Sequence, residues 1–400
     1  MTRPDNSFIV ETVEGVGAFT QNEWSALEGT SRGTGGYNPF LSLDFLLALE
    51  RSGCVGKGTG WQPYFLKLQD DTGTVLGAAP AYLKSHSQGE YVFDHGWADA
   101  FARAGGRYYP KLQISVPFTP ATGPRLLAIS NREDIKTALV HSAAQLCTKS
   151  GLSSAHATFI EAADVPVFES QNWLIRNDQQ FHFVNRGFRD YADFLDSLAS
   201  RKRKTLRKER EAALANGITI EQLTGNDLTE TVWDRFHRFY MDTGSRKWGR
   251  PYLYREFFSL VGQTMADDIL LVMAKRNGQY IAGAINFIGH DRLFGRNWGC
   301  VEDHPFLHFE VCYHQAIDFA LARGLKVVEA GAQGEHKLSR GYEPVTTYSA
   351  HYIDHPGLRR AVADYLVHER EEVARVSELL GEHTPFRKGA RLTQPSEEEQ

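Results

Sequence analysis

Two neighbouring segments in the second half of the chain alternate apolar or small residues with other residues, at 281–288 and 293–300. A period of two is typical of a β-strand. The turn residues Gly289, His290 and Asp291 stand between the segments. We therefore predict a β-hairpin in which the two strands pair antiparallel.

The residues after this hairpin follow a helical period instead, with apolar side chains three or four positions apart. Pro305 suits the first helical position, Asp303 or His304 can cap the helix, and Gly324 can end it. The apolar residues that define the period are Phe309, Cys312, Ala316 and Phe319. The pattern therefore predicts one helix that connects the hairpin to the next strand.

That next strand is a short apolar run at 325–329, and a polar loop at 331–337 follows it. Strand, strand, helix, strand and polar loop together form an α/β unit. Functional side chains in α/β folds often lie where strands end, so this loop is the first candidate for a site.

The same patterns predict elements along the rest of the chain, and Ser42 is the expected cap of the first long helix. The predicted strands are 8–12, 62–68, 75–83, 90–94, 154–160, 173–183, 218–223, 269–275 and 348–353. The predicted helices are 22–27, 42–49, 133–149, 191–216, 227–242, 253–263 and 355–380. Residues 94–124 are rich in aromatic and turn residues, which predicts a structured binding loop.

The length of 400 residues suits two domains better than one core. Residues 74–83 resemble residues 279–288 in having a turn and a strand with small residues at its centre. We predict a duplicated α/β architecture, with an N-terminal domain at 1–184 and a C-terminal domain at 185–387 that carries the main site. We expect the tail at 388–400 to be disordered.

Composition narrows the functional classes only slightly. The net charge of −5 gives no global reason to expect nucleic-acid binding, so any such contact must come from a local patch. The four cysteines form no CxxC pair, and neither a signal peptide nor a membrane-spanning run is visible. We therefore expect a cytoplasmic protein without a transmembrane segment.

Several stretches resemble a known family, and together they span most of the chain. They are YVFDHGWADA, GGRYYPKLQ, PFTPATGPRLL, GSRKWGRPYL, EDHPFLHFEVCY and GAQGEHKLSRGY. The chain is similar to the FemAB-like branch of the GNAT acyltransferase superfamily, within an uncharacterised bacterial group of N-acyltransferases. The resemblance implies an α/β fold of two tandem GNAT-like domains, with mixed sheets flanked by helices.

The resemblance also implies transfer of an acyl or aminoacyl group to a small-molecule or peptide amine, with cell-envelope or peptidoglycan-related metabolism as a candidate setting. The donor is acyl-CoA or a charged tRNA, and no permanently bound cofactor is expected. Both donors stay open, as does a homo-oligomeric state. The alternative is a non-catalytic binding module with the same fold that recognises an envelope precursor or RNA.

Direct transfer to an amine needs a base and groups that stabilise an oxyanion. Glu329 is one candidate base, and Glu335 or His336 could act from the loop. Lys337 and Arg340 could hold an anionic substrate or the phosphates of the donor. The structural alternative is that Glu329 and Lys337 pair with each other and only fix the loop.

The helix after the hairpin carries polar residues that invite a metal-site hypothesis. Glu310 and His314 are four positions apart, a spacing that also stabilises a helix through an ion pair. Because no HExxH motif is present, we predict no metal. We assign His308 and Glu310 to substrate binding.

Basic residues dominate one predicted helix, with seven of them among residues 201–210. They are candidates for contacts with the phosphates of RNA or of a carrier, and we assign Arg203 and Lys204 to the donor. A solvated helix face, with Glu209 and Glu211 as local partners, explains the same pattern equally well.

The resemblance also implies that the pyrophosphate of a coenzyme A donor binds at a loop of small residues entering a helix. Residues 299–305 carry two carboxylates there, which would repel it, whereas the first half offers Arg103, Gly105, Gly106 and Arg107. We assign these four residues to the donor, although Tyr108 stands where a small residue is expected.

The remaining candidates combine cations or carboxylates with aromatic rings or amides. In the segment that contains Arg246, Lys247 and Trp248, the structural alternative to binding is a buried Trp248 that only anchors its turn. The residues assigned to substrate binding are Asp94, His95, Tyr109, Arg246, Lys247, Trp248, Asn297, Gln333 and Tyr342.

Overall fold

The computed structural model describes residues 8–247, 251–331, 334–381 and 384–387. The chain divides into two compact units, Met1–Asp178 with Thr346–Arg375 and Gln179–Val345 with Val376–Gln400. The predicted domain boundary between residues 184 and 185 is close to residues 178 and 179, where the chain first passes from one unit to the other. The return of 346–375 to the first unit differs from the prediction, and it follows from pairing of residues 348–353 with 154–160.

The strands of the described chain are short to medium in length, and their bounds follow in chain order. They are β1 (Ile9–Val13), β2 (Trp61–Pro63), β3 (Phe65–Gln69), β4 (Val75–Ala79), β5 (Ala81–Lys84), β6 (Lys111–Ile114), β7 (Leu127–Ala128), β8 (Ser154–Ile160), β9 (Leu174–Val184), β10 (Ile218–Leu223), β11 (Ile269–Arg276), β12 (Gln279–Ile288), β13 (Arg292–Cys300), β14 (Val327–Glu329) and β15 (Glu343–Ile353).

The helices lie between groups of these strands. They are α1 (Gln21–Ser25), α2 (Leu43–Arg51), α3 (His95–Arg103), α4 (Glu133–Lys149), α5 (Val165–Ser170), α6 (Tyr191–Ser197), α7 (Ser200–Ala213), α8 (Glu230–Lys247), α9 (Arg255–Thr264), α10 (Leu307–Phe309), α11 (Gln315–Ala322) and α12 (Pro356–Gly381). A π-helical turn at Glu310–His314 joins α10 to α11, and a 3₁₀ turn covers Glu335–Arg340. Within the described residues, no helix is both long and apolar enough to span a membrane.

The first unit contains a sheet with two chemically different faces. Its strands lie in the order β15, β8, β6, β5 and β2, and β6 and β8 run parallel. Leu112 and Ala155 belong to the apolar core that also includes Leu139 of α4. The alternate positions Lys111 and His156 are polar and nevertheless buried. A sheet face that buries charge at this density is a candidate for function as well as for stability.

The second unit contains the predicted hairpin. Its sheet has the order β10, β11, β12, β13, β14 and β9, and only β13 and β14 run parallel. Leu293 and Val328 of these two strands pack in one core with Val311 and Ile317 from the connecting helix. Both units combine mixed sheets with flanking helices, which confirms the predicted α/β fold class.

Most local predictions match the structure, including Ser42, whose side chain accepts a hydrogen bond from the Phe45 amide at the start of α2. Gly324 ends α11 with a φ of +67°, a conformation that glycine adopts without strain. The single strand predicted at 75–83 is interrupted at Pro80, because proline has no amide to donate to a neighbouring strand. The helix predicted at 191–216 breaks into α6 and α7.

Three predictions near candidate residues are wrong. Residues 90–94 form no strand, and the expected loop at 94–124 contains α3 and β6. The helix after the hairpin does not begin at Pro305. It begins at Leu307, and Phe306 precedes it with a φ of +64°.

Candidate active site

The two parallel strands of the second unit separate at the point where the sequence predicted a site. β13 and β14 pair only from Arg292 to Phe294, opposite Val327 to Glu329. Beyond Phe294, β13 pairs with β12 on one side, and no described strand pairs with it on the other. This leaves a strand edge beside the loop that follows β14, where an extended ligand can bind along the backbone.

A β-bulge in β13 lies beside this edge. Ala284 pairs with Trp298 and Asn286 pairs with Gly295, so Arg296 and Asn297 together oppose one residue of β12. Bulges change the direction of side chains and are common next to active sites. The predicted substrate ligand Asn297 is half-buried in this bulge.

Glu329 ends β14 and is only 2% exposed. Its Oε1 accepts a hydrogen bond from Arg292 Nη1 at 2.8 Å, and the pairing with Lys337 that was the structural alternative does not occur between the described residues. His182 Nε2 lies 3.9 Å from Oε2, and Oε2 has no hydrogen-bond partner among the described residues. Burial lowers the pKa of His182 despite the neighbouring carboxylate. His182 is therefore neutral at neutral pH.

Lys337 is buried, with 1% of its surface exposed, in the turn that follows β14. Its Nζ donates to the carbonyl oxygen of Gly331 at 2.8 Å, and no described carboxylate lies within ion-pair distance. Burial lowers the pKa of Lys337 to about 8. An ammonium without a counterion is costly to bury, and groups with pKa values shifted in this way are concentrated at functional sites.

Arg340 holds the same turn against α7. Its guanidinium binds Glu209 through Nε–Oε1 at 2.8 Å and Nη2–Oε2 at 2.6 Å. His314 Nε2 lies 2.9 Å from Glu209 Oε1, and Tyr191 Oη lies 2.6 Å from His314 Nδ1. Although burial opposes it, these partners lower the pKa of Glu209. Arg340 therefore positions the turn, and its predicted role as a direct substrate ligand has no support from this geometry.

Two more predicted substrate ligands are buried in structural roles. Glu310 is 0% exposed and accepts two hydrogen bonds from Arg210, at 2.8 and 2.9 Å. Tyr342 is also fully buried, with its hydroxyl 3.5 Å from the carbonyl oxygen of Tyr313. Glu310 lies in the π-helical turn, and such turns often occur at functional sites.

No cluster of three metal-ligating side chains occurs among the described residues.

His336 faces solvent beside Lys337, within a group of aromatic rings. Its Nε2 lies 3.0 Å from Tyr313 Oη. Partial burial and the nearby cations Arg340 and Lys337 lower its pKa. His308, another predicted ligand, packs against Trp298 and Tyr313 with ring centroids 5.2 and 5.4 Å apart. His336 is thus an accessible imidazole that is neutral at neutral pH, as a general base must be.

A cavity of about 430 Å³ lies between α7 and the turn at 335–340. Its lining residues are Arg201, Lys202, Thr205, Leu206, Glu209 and Ser339. The two cations of α7 that were assigned to a donor, Arg203 and Lys204, are absent from this lining. Arg203 binds Asp196 at 2.6 Å and Lys204 is exposed.

The first unit buries a second set of predicted residues. Asp94 accepts hydrogen bonds from Lys111 at 2.5 Å and from Tyr108 at 2.7 Å. Burial would raise the pKa of Asp94, but Lys111 lowers it well below the usual range. Tyr109 Oη lies 2.8 Å from Ser87 Oγ. Asp94 therefore belongs to a buried ionic network, whereas His95, which was also assigned to substrate binding, is exposed.

The loop assigned to a pyrophosphate follows the carboxyl end of a helix. Arg103 is the last residue of α3, and the amides of Gly105 and Gly106 donate to carbonyl oxygens of that helix. The dipole at this end of a helix repels anions. Arg103 and Arg107 are exposed, so any role for them in phosphate binding must come from the side chains alone.

Some predicted residues cannot be placed. Trp248 and Gln333 lie outside the described residues, and the side chains of Arg246, Lys247 and Glu335 are likewise not described. Conversely, the sequence analysis missed several buried polar residues. The buried ones are His182, Lys84, Lys111, His156 and His351, and the half-buried Arg292 was missed as well. Most of them contact polar partners that are distant in the chain, as His156 contacts His351, so no local motif marked them.

The comparisons with known proteins identify the family. The FemAB-like family, described as peptidoglycan biosynthesis/recognition, matches residues 15–388. The chain therefore belongs to this family, which confirms the resemblance seen in the sequence. No curated protein matches the chain.

Solved structures show the same fold. FemX matches with a TM-score of 0.54 and 12% identity, covering 88% of this chain and 100% of FemX. The C-terminal domain of a putative lysylphosphatidylglycerol synthetase from Agrobacterium fabrum matches with a TM-score of 0.52 and 10% identity. This match covers 81% of this chain and 91% of that domain. At these identities the likeness concerns the fold.

Proposed function

We propose that this protein is an N-acyltransferase that moves an acyl or aminoacyl group from acyl-CoA or aminoacyl-tRNA directly to an amine. The observation that carries the proposal is the buried ammonium of Lys337, which lies beside the point where β13 and β14 separate. Family membership supports an acceptor in envelope or peptidoglycan-related metabolism.

The reaction needs the amine to attack the carbonyl carbon of the thioester or ester. The carbonyl oxygen then becomes an oxyanion, and the Lys337 ammonium is the donor that can stabilise it. Collapse of this intermediate breaks the carbon–sulfur or carbon–oxygen bond and releases the carrier. A buried donor acts strongly here because little water competes with it.

The proton of the attacking amine needs an acceptor. Of the predicted bases, His336 fits best, because its imidazole is neutral and open to solvent. Glu329 is less suited, because Arg292 already occupies one of its oxygens. In this proposal, Glu329 and His182 shape the polar environment at the end of β14.

The test is an assay of product formation. Purified protein is incubated with a panel of amines and either short-chain acyl-CoA thioesters or charged tRNA, and products are identified by mass spectrometry. New amide that forms at a rate proportional to enzyme concentration supports the proposal. Tight binding of either carrier without turnover, across the panel, would contradict it and favour a binding module.

A further inference from the structure

The transfer steps described above do not use the cavity beside α7. Its lining is unusual in its charge. Arg201 and Lys202 are both exposed, and neither side chain has a hydrogen bond or ion pair within the described part of the chain. Glu209 does not neutralise them, because Arg340 and His314 occupy its oxygens. The positive charge of Arg201 and Lys202 in the cavity is therefore uncompensated, because the charge of Glu209 is already balanced by other partners.

The position of these cations in the helix is also unfavourable. Arg201 and Lys202 stand in the first turn of α7, which contains no acidic residue and has no side-chain cap. A helix start carries partial positive charge, so a cation there is repelled. An anion bound in the cavity would reverse this repulsion and would gain from the helix dipole and both side chains.

The other basic residues of α7 do not share this arrangement. Lys204, Arg207 and Lys208 are exposed but do not line the cavity. The space available, about 430 Å³, lies within the roughly 300–1,000 Å³ range of small-ligand pockets. The cavity is thus large enough for a phosphate or pyrophosphate together with part of the group that carries it.

We propose that this cavity is a phosphate-binding subsite, with Arg201 and Lys202 as its direct ligands. The inference rests on the proposed function, because acyl-CoA, charged tRNA and nucleotide-linked envelope precursors all carry phosphate. Their shared chemistry is a phosphate or pyrophosphate group that pairs with both cations while the rest of the substrate extends toward the end of β14.

The test measures binding of inorganic pyrophosphate by calorimetry, without any reaction. We expect the double variant Arg201→Gln/Lys202→Gln to weaken binding at least 10-fold. The matched control, Lys204→Gln/Lys208→Gln, removes the same charge from the same helix outside the cavity and should change binding less than 3-fold. Ser339→Asp keeps both cations but adds a carboxylate to the lining, and it should also weaken binding at least 10-fold. Circular dichroism and thermal melting verify that each variant folds.

Equal losses in the two double variants would overturn the subsite, since they would indicate a diffuse basic surface. Absence of pyrophosphate binding to the unmodified protein would overturn it as well. Displacement of pyrophosphate by coenzyme A, by a short single-stranded RNA ending in CCA, or by a uridine diphosphate sugar would identify the phosphate source. Lys337→Gln should leave pyrophosphate binding intact, so a failed subsite and a failed transferase proposal give different results.

Discussion

Arg340 and Glu209 form a two-point ion pair that ties the turn carrying His336 and Lys337 to helix α7. Both side chains are almost completely buried, at 6% and 7% exposed. His314 adds a third contact to the same carboxylate. The ion pair thus fixes one side of the candidate active site, and its carboxylate, that of Glu209, also lines the cavity beside α7.

Breaking this pair should destabilise the protein strongly. Glu209→Gln leaves the Arg340 guanidinium buried without a counterion, and loss of one partner of a buried pair costs about 3–5 kcal/mol. Urea unfolding measures the change. The exposed pair Arg375–Glu372, at 61% and 59% exposed, is the control, and Glu372→Gln should cost less than about 1 kcal/mol. Similar losses in the two variants would contradict the role assigned to the buried pair.

The pH dependence of the reaction should show the ionisation of Lys337. Its pKa is lowered to about 8, so the ammonium that stabilises the oxyanion is lost as the pH rises through that value. We expect kcat/KM to fall above pH 8 with a slope approaching one decade per pH unit. Lys337→Arg keeps its charge throughout this range and should remove the fall. A descending limb that is unchanged in this variant would assign the ionisation to another group.

The first unit should lose stability in acid because of two buried histidines. Burial lowers the pKa of His156 to about 3 and that of His351 well below its ordinary 6.5. In the folded protein both histidines stay neutral, whereas in the unfolded chain they accept protons below pH 6.5. Stability is therefore complete above pH 6.5 and declines below it, by about 1.4 kcal/mol per pH unit for each histidine.

The comparison of two single variants tests this decline. The His156 and His351 rings meet at their Nδ1 atoms, 2.7 Å apart, and Asp94, Lys111 and Arg176 also influence their ionisation. Urea unfolding between pH 4 and 7 should show a shallower pH slope for His351→Asn than for the unmodified protein. His368→Asn changes an exposed histidine and should leave the slope unchanged. An identical slope in all three proteins would refute the assignment.

Two glycines allow a matched test of packing around β13. A Cβ atom at Gly299 would lie 2.1 Å from the carbonyl oxygen of Phe239 in α8, so Gly299→Ala forces the strand and helix apart. We expect a loss of about 1–3 kcal/mol. Gly96 lies in α3, where an added Cβ atom would have no described neighbour within 4 Å, and Gly96→Ala should be neutral or stabilise by up to about 1 kcal/mol. Equal effects on thermal unfolding would contradict the close approach.

Local patterns were sufficient for much of the fold. The sequence predicted 154–160 and 218–223 as strands and 133–149 as a helix, and the structure has β8, β10 and α4 at those positions. Periodicity and caps depend on neighbouring residues, which the sequence displays directly. The return of 346–375 to the first unit depends on pairing between distant segments, which periodicity does not encode.

The site was predicted only in part for the same reason. The loop after β14 was found because polar residues at a strand end form a local signal. Glu329 pairs with Arg292 of a neighbouring strand, a partner that the sequence analysis did not name. Residues 90–94 looked like a strand, whereas Glu90 and Asp94 instead bind Lys111 of β6.

The central claim is that the buried Lys337 ammonium stabilises the transition state of acyl transfer, and single-turnover rates with saturating donor and acceptor test it most directly. Lys337→Met keeps much of the side-chain volume but removes the charge, and the rate should fall about 100- to 1,000-fold, as it does when one oxyanion donor is lost. Lys326→Met, at an exposed position before β14, is the control and should react like the unmodified protein. A folded Lys337→Met variant that retains the full rate would contradict the claim.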